Sequence, residues 1–198
     1  MSSMGRPKEH DETVRAALLL AAERLVDAGG PTALSVRAVA DDVGTTTRAV
    51  YSVFGSKAGL LEALAIRLFD ELGAAIDAVE LSDDPVADVV TASIAGFRRV
   101  ALEHSSLYSL VFLRVAPDLV LGPAFDAVAA QTFGRLDSLV SRATNALGVG
   151  ADRDAAQMVH ALTEGLATME LRGSLGPLDD AERKWRRAVL ALLTGLAT

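Results

Sequence analysis

Apolar residues recur along this chain at intervals of three and four, and no run alternates apolar and polar residues as a half-buried strand would. That periodicity restricts the fold to packed helices. Val14, Ala17, Leu18, Ala21, Ala22, Leu25 and Val26 form the buried stripe of a first helix, and Gly29, Gly30 and Pro31 stop it. Ser35 is placed to cap a short second helix, Gly44 marks a turn, and Ala49, Val50, Val53 and Phe54 give a third helix its inner face. Ser56 then caps a long fourth helix carrying Leu60, Leu61, Leu64, Leu68, Leu72 and Ile76. Asp84 and Pro85 read as the N-cap and first turn of a helix running to about His104. Ser105 or Ser106 restarts a shorter one through Leu113, which Pro117 breaks. Gly122 and Pro123 open another to about Leu147. Two final helices, about 152–172 and 179–197, are parted by Gly173, Gly176 and Pro177. The expectation is an all-α protein of about nine helices.

With 198 residues, 51% of them hydrophobic, the chain can bury a real core and is long enough for one large domain or for one small domain and one larger. It has no cysteine, which excludes disulfides and thiolate metal sites and fits a reducing cytoplasm. The polar, charged N-terminal segment does not read as a secretory signal. The apolar stretches are broken by charge well short of the roughly 20 residues a bilayer span needs. A soluble, cytoplasmic protein with no membrane partner is expected. The net charge of −7 argues against nucleic acid only until its distribution is considered. Residues 1–60 hold seven basic and seven acidic side chains, so the whole excess of acid lies beyond them. An acidic body weakens non-specific DNA association, while a locally neutral head can still present a basic face.

The strongest local pattern is SVRAVADDVGTTTRAVYSVF at 35–54. Two short helices crossing closely need a small residue at the crossing, a glycine in the turn and apolar residues sealing the pair. Ala40, Gly44 and the set Val39, Val43, Val50 and Val53 meet those needs at the spacing of a helix-turn-helix. The outward face of the second helix then carries Thr46, Thr47, Arg48, Tyr51 and Ser52, side chains able to reach base edges and phosphates in a major groove. Arg48 is the candidate base reader; a phosphate clamp or a solvated charge is the competing reading. Arg37, early in the preceding helix, fits a phosphate contact. Arg6 and Lys8 form a possible basic arm or a frayed tail.

The continuation YSVFGSKAGLLEAL at 51–64, with LSVRAVADDVG at 34–44, resembles the TetR family of transcriptional regulators over about residues 11–64. That resemblance implies phosphate contacts from Tyr51 and Lys57 and a core role for Phe54. It further implies a helix-turn-helix DNA-binding domain over 1–55 and a helical dimerisation and ligand-sensing domain over 56–198. The protein would be a homodimer, most often a repressor, that binds a palindromic operator in double-stranded DNA and is released by a small ligand. MVHALTEGLATMELRGSLG at 158–176 is similar to the WHG subgroup, whose penultimate helix carries Trp, His and Gly. Here Met158 stands near the tryptophan position, and Glu164 precedes Gly165 where histidine is expected.

For the larger domain, Phe97, His104, Tyr108, Phe112 and Met158 are the candidate ligand-binding residues, since polar groups near an apolar set have the composition of a small-molecule pocket. Ordinary core packing accounts for most of the aromatic and Met residues of these helices, Phe125, Phe133 and Met169 among them. The few charges between Leu107 and Val115 favour an apolar or aromatic ligand. Ala161, Gly165 and Thr168 on one late helix and Val189, Leu190, Leu193 and Leu196 on the other are the candidate dimer interface, as in a four-helix bundle built by two chains. His160 and Glu164 stand i, i+4, but two ligands do not make a metal site. No nucleophile elbow accompanies the Ser, His and Asp residues, so no catalytic residue, metal or cofactor is expected. Two rival readings remain at this level. One is a helical-bundle enzyme or carrier; the other is a DNA-binding regulator whose C-terminal domain binds a protein partner.

Overall fold

The computed structural model describes residues 6–116, 119–150 and 153–197, with side chains from residue 12 onward except that of residue 153. Among them are nine helices and no strand. They are α1 (Arg6–Gly29), α2 (Val36–Val43), α3 (Thr47–Phe54) and α4 (Lys57–Asp77), then α5, which runs unbroken through Pro85–Thr91, a π-helical stretch Ala92–Arg98, and Arg99–Glu103. After these come α6 (Ser105–Phe112), α7 (Pro123–Ala146), α8 (Arg153–Leu171) and α9 (Leu178–Gly195). The π-helical stretch has no warning in the apolar periodicity. Pro117 and the start of the penultimate helix at Asp152 lie outside the described residues.

The boundaries follow local chemistry. Ser35 accepts the Ala38 amide, Thr46 that of Ala49, Ser56 that of Gly59 and Asp84 that of Ala87, each satisfying an amide that the first turn of its helix leaves without an intrahelical partner. Gly44 closes α2 at φ 70°, ψ 36°, where a side chain would clash with its own backbone. Gly59 has a different necessity: a Cβ there would sit 2.1 Å from the carbonyl oxygen of Phe54, so only glycine lets α4 start so close to the end of α3.

The chain divides into two compact units. The first runs up to Arg67 and takes in Ser106–Asp126; the second comprises Leu68–Ser105 and the chain from Ala127 onward. In the first, Leu18, Ala21, Ala22 and Val26 of α1 are buried with Val39, Ala40 and Val50 of the crossing pair. Polar contacts of α1 with the rest of that unit include Arg24 to Asp42 on α2, the Arg15 guanidinium 5.0 Å from the Phe54 ring centre on α3, and the buried Glu23 to Arg67 on α4 at 3.0 Å. In the second, Val89 and Val90 of α5, Leu139 and Val140 of α7, Val159 of α8 and Val189 and Leu193 of α9 share one apolar core. Among the described residues no single helix is long and apolar enough to cross a membrane; α3 and α4 pass that test only as a pair, across a 61° bend.

Candidate nucleic-acid interface and ligand cavity

The eight residues of α3 divide sharply by face. Val50 is 1% and Phe54 9% exposed, sealing the helix inward, while Thr46, Thr47, Arg48, Tyr51 and Ser52 all lie on the surface. Positions 47, 48, 51 and 52 share one side of a helix, and α3 contains no acidic residue, so that side offers hydroxyls, a phenol and a guanidinium without a competing carboxylate. Tyr51 is 52% exposed, with its phenol on the same side as Arg48. Thr46 is both cap and surface residue. Arg37, in the first turn of α2, is exposed, with Asp41 3.8 Å away in open solvent, a weak pair that leaves the guanidinium available. Lys57 begins α4, where its charge adds to the positive end of the helix, a natural arrangement for an anion. The backbone at Arg6 and Lys8 is helical; their side chains lie outside the described residues.

The second unit contains a cavity of about 260 Å³. Its wall comes from four helices: Phe69, Leu72 and Ile76 of α4; Ala92, Ser93 and Phe97 of α5; Ala129, Thr132, Phe133 and Leu136 of α7; and Val159, His160 and Thr163 of α8. Phe97 and Phe133 each meet the His160 ring edge-on at 6.3 Å. Burial pushes the His160 pKa below its usual value, and Glu164, 3.8 Å away, pulls weakly in the opposite direction. The π-helical stretch of α5 carries both Phe97, which stands in the cavity wall, and Arg98, which enters a buried cluster. There the guanidinium holds both carboxylate oxygens of Glu170 on α8, at 2.7 and 2.9 Å, and the indole N–H of Trp185 on α9 donates to the same carboxylate at 2.8 Å. Glu170 is the largest cause of the raised Arg98 pKa.

Of the five candidate ligand residues, Phe97 stands in the cavity wall and the other four stand elsewhere. Tyr108 is buried in the first unit and stacks on Phe112 at 4.7 Å, His104 ends α5, and Met158 is exposed on α8. His160 and Phe133, which join Phe97 in the wall, are legible in the sequence only as a member of a metal-like pair and a core aromatic. The signal that could have found His160 is its place beside Ala156, Val159 and Thr163 on the buried face of α8. Among the candidate interface residues, Ala161 and Gly165 are exposed and Thr168 half-buried on α8; Leu190 is 44% exposed on α9. Val189 and Leu193 are wholly buried, and Leu196 packs on the same core, so these three serve the chain's own interior. Among the described residues, no group of three or more side chains is arranged to hold a metal ion.

A helix-turn-helix with an exposed, acid-free recognition face, in an all-helical chain whose second unit holds an apolar cavity, defines a DNA-binding regulator of the helical class. Residues 18–64 match the family model of bacterial regulatory proteins of the tetR family, and 90–192 match the tetracyclin repressor-like C-terminal domain. The chain belongs to the TetR family and is a transcriptional regulator. Solved structures with the same fold include a protein of unknown function from Rhodococcus sp. RHA1, at 25% identity over 93% of this chain and 96% of that one, TM-score 0.75. PfmR, a TetR family transcriptional regulator from Thermus thermophilus, is 21% identical over 89% and 96% of the two chains, TM-score 0.63. The multidrug binding protein EbrR, solved with imidazole, is 22% identical over 97% of each chain, TM-score 0.66. No curated protein matches the sequence significantly.

Proposed function

We propose that the chain is a cytoplasmic, non-enzymatic repressor that binds a palindromic operator as a homodimer and lets go when a small molecule fills the cavity of its second unit. The observation that carries this reading is the face of α3, where Arg48 and Tyr51 stand exposed on a helix sealed from behind by Val50 and Phe54. In this reading Arg48 reads a base, while Arg37, Tyr51, Lys57 and the hydroxyls of Thr46, Thr47 and Ser52 hold phosphates and orient the helix. Residues 1–55 are the reading head and 56–198 the sensing and dimerising part. The likeness of 158–176 to the WHG subgroup belongs to the same proposal.

Dimerisation through α8 and α9 is supported by the exposed small residues Ala161 and Gly165, the exposed Met158 and Met169 on the same helix, and Leu190 on α9. The apolar cavity favours a small molecule over a protein as the effector. Helix α4 begins at Lys57 and supplies Phe69, Leu72 and Ile76 to the cavity wall, so a ligand that displaces those side chains bears on an element that reaches the DNA contacts. The ligand must prefer the released state, because equal affinity for both states shifts nothing.

The test is a selection of bound DNA from a random pool. An inverted repeat with half-sites about 34–36 Å apart, or a multiple of that spacing, is the expected product; failure to enrich any sequence would overturn the proposal. With the selected operator, Lys57→Ala should weaken all sequences alike and reduce the salt slope by about one for each phosphate no longer held, whereas Arg48→Ala should relax preference at one position of each half-site.

A further inference from the structure

Arg48 is the second residue of α3 and is exposed, and among the described residues its side chain makes neither an ion pair nor a hydrogen bond. Elsewhere Arg24, Arg67, Arg98, Arg135 and Arg142 each hold a carboxylate. At 3.6 residues per turn, Arg48 stands about 160° round the helix from Val50 and about 120° from Phe54, the two residues that seal α3 from behind. It therefore lies with Ser52 along the outward line of the helix, while Thr47 and Tyr51 stand nearer one flank. A recognition helix seated in the major groove turns its N-terminal residues to the base edges. The chemistry of that line is narrow. A guanidinium only donates, and two of its N–H groups match the O6 and N7 acceptors of guanine. Paired readout of adenine needs an amide side chain, and cytosine N4 needs an acceptor such as a carboxylate. Residues 46–54 contain no Asn, Gln, Asp or Glu. Ser52 has a hydroxyl, which donates and accepts alike and so selects no base.

Resting on the operator-binding reading above, we propose that each half-site carries one guanine that Arg48 reads through O6 and N7 in the major groove, and that α3 selects no other base pair as strongly. Phosphates have other cations to hold them, since Arg37 and Lys57 each stand in the first turn of their own helix. An arginine spent on a phosphate would strengthen every sequence alike, whereas one aimed at a base edge fixes a single position.

The test takes the inverted repeat that the full-length protein selects from a random pool and titrates it at one fixed salt concentration. In one half-site each guanine in turn is replaced by 7-deazaguanine, which lacks the N7 acceptor, or by inosine, which keeps O6 and N7 and lacks only the minor-groove amino group. At one position 7-deazaguanine should weaken binding at least about threefold, the worth of one net hydrogen bond. Replacing that G·C pair by A·T should weaken it roughly 5- to 150-fold. Inosine at the same position should leave binding unchanged. Arg48→Ala should bind the parent, 7-deazaguanine and A·T duplexes alike, and Arg48→Lys, which keeps a donor but not the fork, should recover part of the preference. Because Arg48 is exposed, neither variant should shift the urea midpoint. The proposal is overturned if the half-sites emerge without an invariant G·C pair, or if 7-deazaguanine is tolerated at every guanine. It is equally overturned if inosine costs as much as 7-deazaguanine, which would place the reading in the minor groove, or if Arg48→Ala keeps the sensitivity. The two readings fail distinguishably. An inverted repeat bound without this guanine dependence removes only the role of Arg48 and leaves operator binding standing, whereas a pool that enriches no sequence removes both.

Discussion

Truncating Glu170 to alanine should be the costliest single polar substitution in the second unit. Its side chain is 5% exposed and that of Arg98 11% exposed. The carboxylate accepts two short bonds from the guanidinium and one from the Trp185 indole, joining α5, α8 and α9 at one point. Without it Arg98 keeps, among the described residues, Glu182, itself half exposed and 3.4 Å away, and the Leu178 carbonyl at 3.4 Å. The guanidinium cannot escape by shedding its proton. Leaving such a charge buried without its partner costs roughly 3–5 kcal/mol, and the orphaned indole N–H about 1 kcal/mol more. Against a total stability of roughly 5–15 kcal/mol, that is a large fraction. Glu170→Gln, which can still accept from Trp185, should cost less. The double variant Arg98→Met with Glu170→Leu should cost less than Glu170→Ala alone, because apolar groups then replace both ions. Urea unfolding followed by the fluorescence of Trp185, the sole tryptophan, reads all of these. A Glu170→Ala protein within about 1 kcal/mol of the parent, or a double variant costing the sum of its singles, would refute the reasoning.

Thr46→Ala removes the cap of the recognition helix and should lower stability by about 1 kcal/mol while weakening operator binding, measured by urea melts and by titration of the selected DNA. Because the folded protein depresses the His160 pKa, the unfolded chain takes up a proton first as pH falls below about 6.5. Stability from this group is present above that pH and declines below it, so melting temperatures of His160→Phe should fall less than those of the parent between neutral and mildly acidic pH; parallel curves would contradict this. Deleting residues 178–198 removes Ala181, Trp185, Val189 and Leu193, all fully buried, and should leave a destabilised protein unable to bind DNA. A well-folded dimeric truncation by light scattering would rule that out.

The reading head is legible from residues 35–64 because everything that specifies it is local. A cap, a glycine turn and a 3.6-residue period place Val50 and Phe54 inside and Arg48 and Tyr51 outside with no need of distant partners. The second unit offers no such shortcut. Tyr108 with Phe112 and Phe97 with Phe133 are equivalent in a sequence, yet the first pair stacks within one unit and the second lines the cavity of the other. Likewise, Val189 and Leu193 look as fit for a dimer interface as Leu190, and only the rotation of α9 against α5 and α8 turns them inward.

By itself, then, the sequence determined the helices, their caps and the two faces of α3, since hydrogen bonding within a turn and the i, i+3, i+4 period act over a few residues. Tertiary structure alone decided that Phe97, Phe133 and His160 meet around a void, that Arg98 and Trp185 share the Glu170 carboxylate, and which apolar stripe of α9 is spent on the core. Those outcomes depend on how whole helices rotate and pack against one another, and apolar burial, which drives that packing, is non-directional and leaves no mark on any single stretch of chain.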